Sequence, residues 1–158
     1  MTTKEIKSLF DKNGYIKIDQ VLAGKRLQKI QDEVDFMIKR SHKAGRRLEA
    51  HWGGNWRENI NVDGDKQARS VLSIHRIQEH SATLAQLMFD PNITDPVAAV
   101  VGSENLQLHH TLMHAKPPQI GAAFPLHQDY DYFPHKLDTM VAATLYLDDS
   151  ETDNGCLH

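Results

Sequence analysis

The residues best suited to chemistry are His127-Gln128-Asp129. On a strand, residues two apart share a face, so an imidazole and a short carboxylate at this spacing converge on one point. Such a pair supplies two donors to a metal ion. With a second histidine from a distant strand it completes the two-histidine, one-carboxylate set that suits Fe(II), leaving positions open for a bidentate co-substrate and dioxygen. The triplet alone is weak, because ten His and fourteen Asp in 158 residues supply about one His-x-Asp by chance. Its weight depends on the surrounding sequence.

Other chemistries have less support. A single cysteine, Cys156, excludes an intrachain disulfide framework and a Cys-based zinc site, and nothing identifies a base that would make it a nucleophile. The acidic stretch Asp148 to Gly155 lacks the glycine spacing and final glutamate of a calcium loop, and Asn154-Gly155 marks a turn. Phosphate-binding glycine motifs are absent. A net charge of −3 gives no electrostatic footprint for nucleic acid. No apolar run is long enough to suggest a membrane span, and the opening residues lack an apolar signal core, so the expected compartment is the cytoplasm. The partner expected is a small-molecule substrate. Six of the ten histidines fall in the last fifty residues: His109, His110, His114, His127, His135 and His158.

The elements that would position these side chains divide the chain unequally. Residues 1–103 read as mainly helical with short strands, and 104–158 as strands. Thr2 and Glu5 form a candidate capping box for a helix with Ile6, Leu9 and Phe10 on one face, ending near Gly14. Tyr15 to Ile18 suggests a strand. Leu27, Ile30, Val34, Met37 and Ile38 recur at helical spacing between Lys25 and Lys43, and Gly45 suits the stop. Residues 46–67, with Trp52 and Trp56, read as a long loop that packs on the domain or walls a substrate site. Val71 to Ile77 predicts a strand, Ser81 to Phe89 a short helix, and Thr94-Asp95-Pro96 the opening of a helix that closes at Gly102.

Beyond Gly102 the period becomes two. Leu106, Leu108, His110, Leu112 and His114 would share one strand face, with His109 on the other, so the two adjacent histidines would not enter one site. Leu126 to Tyr130, Thr139 to Leu147 and Gly155 to His158 are further predicted strands. Strands so few, with the last unpaired, suggest the amino-terminal part of a larger domain.

The segment Leu126-His127-Gln128-Asp129-Tyr130-Asp131-Tyr132-Phe133-Pro134 resembles the metal-binding stretch of the phytanoyl-CoA dioxygenase family. The likeness continues through His110-Thr111-Leu112-Met113-His114-Ala115-Lys116-Pro117-Pro118, through Asp153-Asn154-Gly155-Cys156-Leu157, and in the early Asn13-Gly14-Tyr15-Ile16. The resemblance implies an α+β fold in which helices pack on a double-stranded β-helix of jelly-roll or cupin type, incomplete in this chain. It implies Fe(II), 2-oxoglutarate and O2, with ascorbate as the candidate reductant, and hydroxylation of an unactivated C–H bond in a small organic or acyl substrate. His127 and Asp129 match two metal ligands. Gln128, His110 and Thr144 match positions near the metal or co-substrate. A third ligand histidine and a carboxylate-binding arginine are expected beyond residue 158, and the 158-residue chain alone is expected to be inactive. Related halogenases carry a small residue in place of the carboxylate, so Asp129 favours hydroxylation. Rival readings are a non-catalytic cupin-like metal-binding module and a truncated product without function.

Overall fold

The computed structural model describes residues 1–43, 73–116, 127–131, 133, 135–137 and 139–157. Helix α1 (Thr3–Asn13) starts at the predicted capping box. The Glu5 N–H donates to Thr2 Oγ1 at 3.3 Å, and the Thr2 N–H donates to the Glu5 carboxylate at 2.6 Å, so two otherwise orphaned donors are satisfied. Gly14, at φ 77°, ends it in a left-handed conformation that a side chain would strain. Of the predicted apolar face, Ile6 is buried and Phe10 packs beside it, whereas Leu9 is exposed. Helix α2 (Gly24–Lys43) spans the predicted segment, burying Ile30 and Met37 with Val34 and Ile38 alongside.

Strand β1 (Ser73–His75) leads into two short helices, α3 (Ile77–His80) and α4 (Ala82–Ala85), and a 3-10 turn at Gln86–Phe89. Arg76, at φ 54°, breaks the strand that the sequence extends to Ile77. Helix α5 (Pro91–Val101) begins earlier than predicted. Asp90 accepts from the Asn92 N–H at 3.0 Å and Pro91 occupies the first turn, which leaves Pro96 inside the helix. The sequence carries the same Asp-Pro start signal twice, at 90–91 and at 95–96, and the structure uses the first.

β1 pairs antiparallel with β2 (Leu112–His114) in the register Ser73–His114, Ile74–Met113 and His75–Leu112. One face of this sheet carries Ile74 and Met113 into a core shared with Ile30, Met37, Leu84 and Leu87. The other face carries Ser73, His75, Leu112 and His114. A second cluster joins α1 to α5 through Ile6, Ala99 and Val100, with Ile16, Ile18 and Val141 against it. Asp90 ties α2 to α5, its buried carboxylate pairing with Arg26 of α2 while capping α5.

Several predicted strands differ. Tyr15 to Ile18, residues 106–111 and Thr139 to Leu147 lie outside any ladder among the described residues. A strand needs a ladder of hydrogen bonds to a neighbour as well as alternation, and none of these segments has one among the described residues; Leu106 and Leu108 are exposed. Ile16, Ile18, Val141, Leu145 and Leu147 all pack against the cores, and Gln31 Nε2 donates to the Leu147 carbonyl at 2.6 Å. The predicted strand at 126–130 contains instead the start of a 3-10 turn, Asp129–Asp131. A second 3-10 turn, Thr152–Asn154, ends at Gly155 with φ 87°, where a further strand was expected to start. The long loop at 46–67 and the stop at Gly45 lie outside the described residues. The class is α+β: helices packed on a small antiparallel sheet.

Candidate metal centre

His127 and Asp129 are brought together, although by a tight turn rather than by strand alternation. His127 Nε2 lies 3.5 Å from Asp129 Oδ1. Bonds from a metal to imidazole nitrogen or carboxylate oxygen are about 2.1 Å, so one ion could touch both atoms. Both side chains remain partly accessible. The pair fits a divalent cation in donor type as well as spacing: one borderline nitrogen and one hard, charge-neutralising oxygen. Among the described residues no group of three or more His, Cys, Asp or Glu side chains is arranged to hold an ion. Two donors are therefore what these residues assemble.

The turn that presents Asp129 is closed by the Phe133 N–H, which donates to the Asp129 carbonyl at 2.9 Å. Phe133 in turn accepts at its own carbonyl from His135 Nδ1 at 2.8 Å, and the His135 ring meets Tyr130 edge-on at 5.1 Å. Tyr130 and His135 border an open cleft of about 530 Å³, whose lining also includes Gln128, Asp129, Lys136 and Met140. Gln128 thus stands at the cleft beside the carboxylate. Thr144 is exposed, and the lining runs through Met140 and Ala142 instead.

His110, in the segment that precedes β2, pairs with His75 of β1. Its Nε2 lies 3.0 Å from His75 Nδ1, a hydrogen bond in which one ring donates and the other accepts. The expected separation of His109 and His110 onto opposite faces does not hold. That separation requires strand geometry, which residues 106–111 do not have, and both rings face Phe133, at 4.8 Å and 6.3 Å. Burial, reinforced by the nearby His75, His109 and Arg76, holds the His110 pKa below its ordinary value of 6.5. Since the folded state resists this proton more than the unfolded state, the fold favours the neutral His110 ring above that value, and the stability this contributes is lost as pH falls below it. An NMR titration of His110 should give a midpoint below 6.5; a midpoint at or above that value would contradict the environment described.

His114 Nδ1 shares a 2.8 Å hydrogen bond with Ser73 Oγ across the sheet. Cys156 is half-buried after the last turn. His158, Trp52 and Trp56 lie outside the described residues. Sequence reasoning missed His75, Lys136 and Phe133. His75 becomes visible only when the β1–β2 register is known, because that register sets it opposite Leu112, next to the segment bearing His110.

The phytanoyl-CoA dioxygenase family model matches residues 10–158, and the chain belongs to that family. It is 25% identical over 161 residues to the peroxisomal phytanoyl-CoA dioxygenase of Homo sapiens, covering 98% of this chain and 45% of that protein. It is 24% identical over 161 residues to a probable alpha-ketoglutarate-dependent hypophosphite dioxygenase of Stutzerimonas stutzeri, covering 99% and 51%. The Bos taurus peroxisomal phytanoyl-CoA dioxygenase is 23% identical, covering 97% and 45%. The chain spans about half the length of the curated relatives it matches. No solved structure matches it. No helix of the described residues is long and apolar enough to cross a membrane, and the mammalian relatives, named peroxisomal, lend the cytoplasmic expectation no support.

Proposed function

We propose that the protein is an Fe(II)- and 2-oxoglutarate-dependent dioxygenase that hydroxylates a C–H bond of a small organic or acyl substrate. The observation that carries this reading is the 3.5 Å approach of His127 Nε2 and Asp129 Oδ1 beside a cleft, in a chain of this family. Iron, when bound, supplies a site for 2-oxoglutarate and dioxygen. His127 offers it a neutral nitrogen donor. Asp129 offsets one of its charges, and the presence of this carboxylate favours hydroxylation over halogenation. Gln128 and Lys136 give the adjoining cleft hydrogen-bonding and cationic groups, and Met140 gives it an apolar surface. The third donor histidine and the arginine for the far carboxylate of 2-oxoglutarate are proposed to lie beyond residue 158, and the full double-stranded β-helix is proposed to be completed there. Ascorbate would keep iron reduced.

Titration of the 158-residue chain with Mn(II), followed by a succinate assay with Fe(II), 2-oxoglutarate and ascorbate, tests the assignment. Weak binding that His127→Ala removes is the expected result, with no succinate, since two donors define affinity and geometry poorly. Binding untouched by His127→Ala would overturn the donor assignment. Succinate formation that depends on His127 would show that the 158 residues themselves supply the third donor and would overturn its placement beyond residue 158.

A further inference from the structure

We infer that Phe133 is a positioning residue for Asp129, its ring set against His109 and His110 and its N–H bound to the Asp129 carbonyl. The inference rests on the reading of His127 and Asp129 as metal donors. Asp129–Asp131 is a single 3-10 turn, too short to hold its shape through its own hydrogen bonds. Among the described residues, the bond that closes it comes from residue 133, at 2.9 Å. The same residue that closes the turn is half-buried and carries an aromatic side chain into contact with another part of the chain. The Phe133 ring meets His109 at 4.8 Å with the planes at 64°, the edge-to-face arrangement that aromatic quadrupoles favour.

This contact leads back to the rigid part of the molecule. His110, 6.3 Å from the Phe133 ring, is hydrogen-bonded to His75 of β1, and the neighbouring Ile74 is fully buried in the core. A continuous set of contacts therefore runs from the core through β1, the two histidines and Phe133 to the backbone of Asp129. The carboxylate itself is partly exposed and receives little support from packing of its own. Outer groups that orient a metal ligand typically change metal affinity by about 10-fold to 100-fold when removed. Phe133 acts here through geometry, with no donor atom of its own directed at the ion.

The test uses Mn(II) as the probe and compares the parent chain with Phe133→Ala and Phe133→Tyr. Phe133→Ala should weaken Mn(II) binding by about 10-fold, at the lower end of that range, and Phe133→Tyr should stay within about 2-fold of the parent because it keeps the ring. Amide hydrogen exchange gives a second, metal-free reading. The residue-133 amide should exchange faster in Phe133→Ala and near the parental rate in Phe133→Tyr, while the Arg76 amide, bonded to the Thr111 carbonyl, keeps its protection in both. Unchanged exchange at residue 133 in Phe133→Ala would overturn the inference, as would a tyrosine variant as impaired as the alanine one. Loss of protection at Arg76 as well would show general loosening and overturn it too. A parent chain whose Mn(II) binding survives Asp129→Ala would defeat the donor reading instead, and the exchange data would still decide whether Phe133 holds the turn.

Discussion

Asp129→Ala is expected to reduce Mn(II) affinity by more than about 100-fold, above the range that outer-shell partners of a metal ligand cost. The substitution removes a donor oxygen and its negative charge from the position 3.5 Å from His127 Nε2. It should do so without unfolding the chain. The carboxylate is 41% exposed, and the turn is held by the Asp129 carbonyl, which alanine retains. Surface changes of this kind usually alter stability by less than about 0.5 kcal/mol. Mn(II) titration and thermal unfolding of the same sample check both halves. Asp131→Ala should weaken binding far less, so equal losses from the two variants, with folding preserved, would mean that the carboxylate has been assigned wrongly.

The largest effect on stability is expected at Ile74→Ala. Ile74 is fully buried and joins β1 to Ile30 and Met37 of α2, Leu84 and Leu87 of the following helical turns, and Met113 of β2. Removing its branched end leaves a void that four different elements would have to fill. Such substitutions cost about 2–5 kcal/mol, and the upper half of that range is expected because facing elements meet at this side chain. Phe89→Ala, at a position 82% exposed, should change stability by less than about 0.5 kcal/mol despite the larger side chain. Urea unfolding of the two variants compares them directly. Similar midpoints would show that the core lies elsewhere.

Legibility differed between kinds of element for a physical reason. A helix writes its limits locally: Thr2 with Glu5, Gly14 at φ 77° and the spacing of Ile30, Val34 and Met37 are all within one or two turns of what they specify. Where two start signals compete, as Asp90-Pro91 and Asp95-Pro96 do, local chemistry cannot choose. Burial chose Asp90, because Arg26 of a distant helix pairs with it. Strands depend on partners far away in the chain, so the alternation through Leu106 to His114 predicted more ladder than Leu112–His114 forms.

The approach of His127 and Asp129 was legible as His-x-Asp, but for the wrong geometric reason. A strand would have aligned the side chains on a face, whereas the chain folds Asp129 into a turn that brings it near His127. His110 was legible as a residue of interest from its neighbours in sequence, and its partner His75 was not, since the two lie 35 residues apart. Phe133 left no periodic signal at all. Its contacts with His109 and His110 are set by tertiary structure, and its hydrogen bond to Asp129 resembles any short turn when only the sequence is in view.

The ion pair between Arg26 and Asp90 has an evolutionary consequence, because its two members are not exchangeable. Asp90 also receives the Asn92 N–H as the cap of α5, so its position calls for an acceptor beside the positive end of a helix dipole. Reversing the pair would keep the attraction between the two side chains and set a cation where the helix repels it. Related sequences that abandon the ion pair should therefore do so by replacing Arg26 first, accompanied by Asn, Ser or Thr at position 90. An inverted arrangement, with the acid on α2 and the base at the cap of α5, should be the rarest of the alternatives.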